Sequence, residues 1–265
     1  MAPTYLDGIL QHHRARAGAD TREWRQRVES ISYTGPSMLA AMTEAGNPNV
    51  RVIAEVKRRS PSRGWLNEHL DPVSLARTYL DGGATATSVL TDEHFFAGSR
   101  DDLERVARTV DAPILRKDFT VSANDVLDTA DMGASTVLLI AAALDDEELS
   151  TFVTIADRCN IDALVEVHNR DEVRRALAAG ARMIGVNQRN LRTFHVDPDL
   201  AEEVITVIPR DVITVCESGL RSTADVERAA RAGFDAVLVG EAFVTSNDAN
   251  SDLRAFCTIP KVSRD

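Results

Sequence analysis

The stretch "VRVIAEVKRRSPSRG", Val50–Gly64, decides how the rest of the chain is read. It starts as a buried strand, with Val52, Ile53 and Ala54. In an extended chain, alternate side chains share a face, so Glu55 and Lys57 fall on the same side. An acid and a base thus close an apolar run. "SPSRG" follows at once, and Pro61 stiffens that loop by fixing its own φ.

The same rhythm continues along the chain. Short apolar runs recur as "TATSVLTD", "APILRKDF", "STVLLIAA", "DALVEVHN", "ARMIGVNQ", "DVITVCESG" and "FDAVLVGEA". They are rich in Val, Ile and Leu, as parallel strands covered on both faces require. Between them lie amphipathic segments such as "DPVSLARTYLDGG", "DDEELSTFVTIADRC" and "STADVERAARAG". Several open on Ser, Asp or Asn and close on Gly, the start and stop signals of helices. The pattern predicts an α/β protein, a (β/α)8 TIM barrel, for which about 250 residues is the usual length. The rival is a doubly wound open sheet; it fits less well, because no G-x-G-x-x-G fingerprint accompanies the repeats.

The 265 residues divide into an N-terminal helical extension packed on the barrel (1–49), the barrel (50–258) and a polar tail expected to fray (259–265). Helices are expected in the extension at "YLDGILQHHRARA" and "TREWRQRVES". A net charge of -11 argues against a nucleic-acid surface. It leaves room for a small anionic ligand in a local basic pocket. No signal peptide and no run of membrane-spanning length are read, and three dispersed cysteines suit reduced thiols in the cytoplasm. Cys216, in an apolar run, is expected to be a small buried hydrophobe. The histidines have no metal-site spacing, so no metal is expected.

In a barrel enzyme, chemistry gathers at the C-terminal ends of the strands. Those ends carry Glu55 and Lys57, Lys117 and Asp118, Glu166, Asn187 followed by Arg189, and Glu217-Ser218-Gly219. Any one could be a charged residue leaving a strand for water. Glu55 and Glu166, however, have apolar neighbours on both sides, and a carboxylate there is costly without a partner or a polar cavity. Lysines converging with carboxylates suit proton transfer. The last two ends, "ESGL" and "VGEAF", suggest a phosphate held by backbone N–H groups after strands seven and eight. The candidates are Ser218, Gly219 and Gly240, with Glu241 offering only its N–H. The plain alternative is that both glycines serve tight turns.

With these residues in view, the sequence resembles the indole-3-glycerol-phosphate synthase family. The motifs "IAEVKRRSPSRG", "SVLTDEHFFAGS", "PILRKDF", "LVEVHN", "IGVNQRNLRTF", "ESGL" and "VGEAF" stand in the family's order across nearly the whole barrel. The resemblance implies ring closure, decarboxylation and dehydration of 1-(2-carboxyphenylamino)-1-deoxyribulose 5-phosphate, with no cofactor. It implies Lys117 as general acid and Glu166 as its acid–base counterpart. Glu55 would fix the charge network, and Lys57 would hold the substrate's anionic groups, phosphate included, and share in proton transfer. Asn187 and Glu217 would order substrate hydroxyls. Ser60 would contact substrate, and Arg189 would orient an anion or serve structure. Ser218, Gly219, Gly240 and Glu241 match the phosphate loops. The partner implied is a small phosphorylated molecule; a monomer is compatible with the sequence. One segment, "SANDVLDTADMGAS", departs from the family pattern and is expected to be helix surface and turn. Two other readings are a Schiff-base aldolase using Lys57 or Lys117, and an inactive paralogue acting as a binding module.

Overall fold

The computed structural model describes residues 4–190 and 193–264; Leu191 and Arg192 of the "NQRNLRTF" motif lie outside the described residues. Eight parallel strands close a barrel. They are β1 (Arg51–Val56), β2 (Ala86–Leu90), β3 (Ile114–Lys117), β4 (Thr136–Ile140), β5 (Asp162–Val167), β6 (Met183–Asn187), β7 (Ile213–Glu217) and β8 (Ala236–Val239). Each pairs with its neighbours in chain order, and β1 closes on β8 through Arg51↔Ala236 to Ala54↔Val239. The eight apolar runs are these eight strands. An open doubly wound sheet is thereby excluded.

The two-residue alternation divides each strand between two cores. Val52, Ala54, Val137, Leu139, Val165 and Val237 face outward into the layer shared with the helices. Ile53, Leu115, Leu138, Leu164, Met183, Val215 and Leu238 face inward and fill the barrel. The helices follow their end signals. Asp71 caps Pro72–Asp81, Asp145 forms a capping box on Asp146–Arg158, and Ser222 does the same on Thr223–Ala232. The left-handed Gly233 (φ +95) ends the last of these, a conformation that costs a glycine little.

The leader reaches both ends of the barrel. Its first helix, Tyr5–Gly18, brings Tyr5, Leu6 and Ile9 to the mouth. Its last, Met38–Thr43, places Met38 and Met42 in the inner core with Ile53 and Met183. Ser37 Oγ and the Leu39 N–H both donate to Asp162 Oδ2, at 2.9 and 3.0 Å, at the start of β5. The helix expected over "TREWRQRVES" is confined to Trp24–Arg27.

Two expectations are corrected. The "SANDVLDTADMGAS" helix is not plain surface: Asn124, Asp125 and Asp128 are buried beneath the leader's arginines. Arg16 pairs with Asp125 at 2.7 Å, Arg22 and Arg27 with Asp128 at 2.7 and 2.8 Å, and Arg27 donates to Asn124 at 2.7 Å. The tail does not fray through residue 264. Lys261 N–H donates to Pro48 O at 2.8 Å, Ile259 O accepts from Val50 N–H at 2.9 Å, and Arg264 donates to Val212 O at 2.8 Å. These backbone partners lie far away in sequence, so local composition carries no sign of them.

Candidate active site

The inner face of the barrel changes character at its C-terminal rim. Below lie Ile53, Leu115, Leu164, Met183 and Val215. Two residues further along those strands come Glu55, Lys117, Glu166, Gly185 and Glu217, with Asn187 two further again on β6. Register sets them side by side: Glu166 lies opposite Gly185, and Asn187 opposite Glu217. Glu55, Glu166 and Glu217 are almost wholly buried. Three carboxylates in such a place require cationic partners.

Two lysines supply them. Lys117 Nζ donates to Glu166 Oε2 at 2.9 Å and to Glu217 Oε2 at 2.8 Å. Lys57 Nζ donates to Glu55 Oε1. Burial works against the charged form of Lys117, but Glu166, Glu217 and Glu55 outweigh it and raise its pKa. The two carboxylates on Lys117 are driven apart. Burial would raise the pKa of Glu166, yet Lys117 and then His168 hold it well below the usual range. Burial, aided by the charge of Glu166, raises that of Glu217 against the pull of Lys117. Carboxylates pushed in opposite directions are how one site keeps an acid and a base at the same pH. Glu217 Oε1 is buried without a protein partner among the described residues.

Glycines make room for this layer. A Cβ at Gly185 would stand 1.9 Å from Glu217 Oε1, and one at Gly240 would stand 2.5 Å from Glu55 Oε1. Gly240 has φ -129, so no tight left-handed turn explains it. Gly219 is different, with φ +76, and Ser218 before it has φ +69. A non-glycine residue held there is strained, a feature that gathers at functional sites.

Above this layer the mouth has one apolar wall and one polar rim. Tyr5, Leu6, Ile9, Phe96, Phe119 and Phe194 line the former. Lys57, Ser60, Arg189, Ser218, Gly219, Gly240 and Glu241 line the latter. Ser60 Oγ is buried and has no hydrogen-bond partner among the described residues. The Arg189 N–H donates to Asn187 Oδ1 at 3.0 Å and its guanidinium to Phe194 O at 3.0 Å. The Glu241 carboxylate is drawn to Arg63 at 2.9 Å and Arg221 at 3.4 Å, which neutralises it beside the rim. The helix Thr223–Ala232 is closed by its own capping box, so its N-terminal donors are partly spoken for. All of the expected site residues thus meet at one mouth.

The indole-3-glycerol phosphate synthase family model matches residues 7–256, which covers the barrel and most of the leader. The chain belongs to the indole-3-glycerol phosphate synthase family. It is 42% identical over 252 residues to the indole-3-glycerol phosphate synthase of Chlorobium chlorochromatii, covering 94% of this chain and 98% of that one. To the indole-3-glycerol phosphate synthase of Rhodococcus jostii it is 45% identical, covering 92% and 91%. To that of Micrococcus luteus it is 49% identical, covering 78% and 77%. Among solved structures, N-acetylmannosamine-6-phosphate 2-epimerase from Clostridium perfringens superposes with a TM-score of 0.60 at 14% identity, covering 79% of this chain and 92% of that one. Thiamine phosphate pyrophosphorylase from Pyrococcus furiosus superposes at 0.59 and 16%, covering 79% and 94%. These two share the fold alone.

Sequence reasoning missed the apolar wall. Tyr5, Leu6, Ile9, Phe96, Phe119 and Phe194 look like core residues in a linear reading. Phe96, Phe119 and Phe194 stood inside the quoted synthase motifs "SVLTDEHFFAGS", "PILRKDF" and "IGVNQRNLRTF", which were the available signal. His168 was missed as well, although it directly follows "LVEV". No described helix is long and apolar enough to cross a membrane.

Proposed function

We propose that this mouth converts 1-(2-carboxyphenylamino)-1-deoxyribulose 5-phosphate to indole-3-glycerol phosphate, carbon dioxide and water. The observation that carries the reading is the Lys117 ammonium held between Glu166 and Glu217, at 2.9 and 2.8 Å, beneath an apolar wall. The substrate needs those three features. Its carbonyl oxygen must receive a proton as the ring carbon attacks. Its aryl ring needs an apolar surface. Its later hydroxyl must leave with a proton while another is removed from the neighbouring carbon.

Lys117 protonates the carbonyl oxygen as the carbon–carbon bond forms. Loss of the carboxylate as carbon dioxide returns its bonding electrons to the ring system. Glu166, held as a carboxylate, is the acid–base partner of Lys117 in the dehydration. Glu217 and Asn187 hydrogen-bond the substrate hydroxyls, and Glu55 fixes Lys57. Lys57 and Arg189 face the substrate's anionic groups, and Ser60 offers its hydroxyl. Backbone N–H groups around Ser218, Gly219, Gly240 and Glu241 receive the phosphate.

An imine-forming aldolase fits less well. A lysine whose pKa is raised between carboxylates stays an ammonium, whereas Schiff-base chemistry needs a free amine. The test is direct. Incubation with the carboxyphenylamino sugar phosphate should produce indole fluorescence without added metal or cofactor. Borohydride added during turnover should leave the chain unmodified. Absence of indole product would refute the reading; a reductively trapped lysine would then favour the aldolase, and an unmodified chain the binding-module alternative.

A further inference from the structure

His168 stands one residue beyond the end of β5, and the proposed chemistry leaves it unused. Its Nε2 lies 3.6 Å from Glu166 Oε1, and its Nδ1 lies 3.1 Å from Glu172 Oε2. Glu172 is firmly held. It accepts from the His168 backbone N–H at 2.7 Å and from the Asn169 side-chain amide at 2.7 Å. Its own N–H donates to the Asn169 cap at 2.9 Å. His168 Nε2 is buried and has no hydrogen-bond partner among the described residues.

A neutral imidazole has one N–H. If Nδ1 uses it on Glu172, the Nε2 lone pair faces a carboxylate. That contact becomes favourable only when a proton lies between His168 and Glu166, on one or the other. The line continues inward, because the second Glu166 oxygen accepts from Lys117. Glu172, His168, Glu166 and Lys117 therefore stand in one line from the first turn of the helix Arg170–Ala178 to the reacting centre, with a 3.6 Å approach rather than a hydrogen bond between His168 and Glu166. Glu217 also acts on His168, from β7. Burial disfavours the charged imidazole, but Glu172, Glu166 and Glu217 prevail and raise its pKa.

The reaction needs such a path. The substrate's carboxylate leaves as neutral carbon dioxide, so each turnover consumes one proton. Lys117 gives a proton away in ring closure and must be recharged from solvent.

We propose that His168 is a positioning and proton-relay residue for Glu166, returning solvent protons to Lys117. The His168 Nε2–H bond breaks as an O–H bond forms on Glu166. Glu166 turns its carboxyl and passes that proton to the neutral Lys117 amine, and the neutral imidazole regains its own when a turn of the ring brings Nε2 to water at the rim. This rests on the acid–base roles given above to Lys117 and Glu166.

The test uses steady-state turnover of His168→Gln and His168→Ala across pH. His168→Gln keeps an amide donor near Glu166 but holds no transferable charge. Its kcat should fall by roughly 10-fold, less than the ~10²–10⁴-fold expected for a direct acid or base. KM should change little. Wild-type kcat should decline as pH rises through the His168 pKa, and both variants should lose that decline. Added imidazole should restore turnover in His168→Ala. Glu172→Gln should shift the wild-type decline to lower pH. Wild-type pH profiles in both His168 variants would overturn the proposal. So would a loss of activity with unchanged pH dependence and no imidazole rescue, since that marks a merely structural role. Glu166→Gln separates the two levels: full activity there would sink the role of Glu166, whereas an inactive Glu166→Gln beside unaffected His168 variants would sink only the relay.

Discussion

Gly185 and Glu217 fit together: the hydrogen of the glycine leaves the space into which the carboxylate extends, and a Cβ there would lie 1.9 Å from Glu217 Oε1. The pair links β6 to β7 across the inner face and brings Glu217 Oε2 to Lys117 at 2.8 Å. A backbone position thus fixes the second carboxylate on the proposed acid.

Gly185→Ala should therefore act on catalysis more than on fold. The methyl group must displace Glu217, and a misplacement of about 1 Å can cost ~10²-fold in rate. Overpacking should cost about 1–3 kcal/mol of stability. Far-UV circular dichroism should be retained while kcat falls. Wild-type kcat in this variant would show that Glu217 is not needed where it stands.

The phosphate loops separate side chain from backbone. Ser218→Ala should weaken inorganic phosphate or sulfate binding by roughly 0.5–1.5 kcal/mol, up to about twice that for a charged acceptor. Gly219→Val should abolish the competition of these anions with substrate. Its φ of +76 resists a branched residue, and a Cβ would meet Val196 Cγ1 at 2.4 Å. Equal sulfate inhibition of Gly219→Val and wild type would place the phosphate elsewhere.

Acid sensitivity should trace in part to Asp118, buried beside the mouth. Burial favours its neutral form, but Arg116 at 2.8 Å, the Thr91 hydroxyl at 2.6 Å and nearby His13 hold its pKa below the ordinary 3.8. The folded state thus binds fewer protons than the unfolded state in that window. Its stabilisation is complete above pH 3.8 and is lost as pH falls through the depressed value. Asp118→Asn should cost about 3–5 kcal/mol at neutral pH, because it leaves Arg116 unpaired. Urea midpoints measured from pH 6 downward should fall less steeply in the variant. Parallel slopes would remove Asp118 from the acid transition.

How much of this was legible follows from how each residue signals itself. The barrel showed in runs such as "STVLLIAA", because strands covered on both faces must be apolar on both. The acid–base layer showed because Glu55 and Glu166 are costly in apolar runs, so their presence calls for a reason. The apolar wall did not show: Phe96 or Ile9 facing a substrate looks like Phe152 facing a helix. The tail and the "SANDVLDTADMGAS" helix were misread because their partners, Pro48 and the leader arginines, are distant in sequence. Met38 and Met42 gave no hint that they close the barrel floor. His168 hid because its meaning lies in a 3.6 Å approach to Glu166.

The central claim is that Lys117 is the general acid. It is tested most directly by the kcat of Lys117→Ala, measured as indole fluorescence at saturating substrate, with sulfate inhibition confirming an intact phosphate site. Loss of a general acid is typically worth ~10²–10⁴-fold, and a fall of that size is the predicted result. Retention of more than about a tenth of the wild-type kcat, far outside that range, would contradict the account.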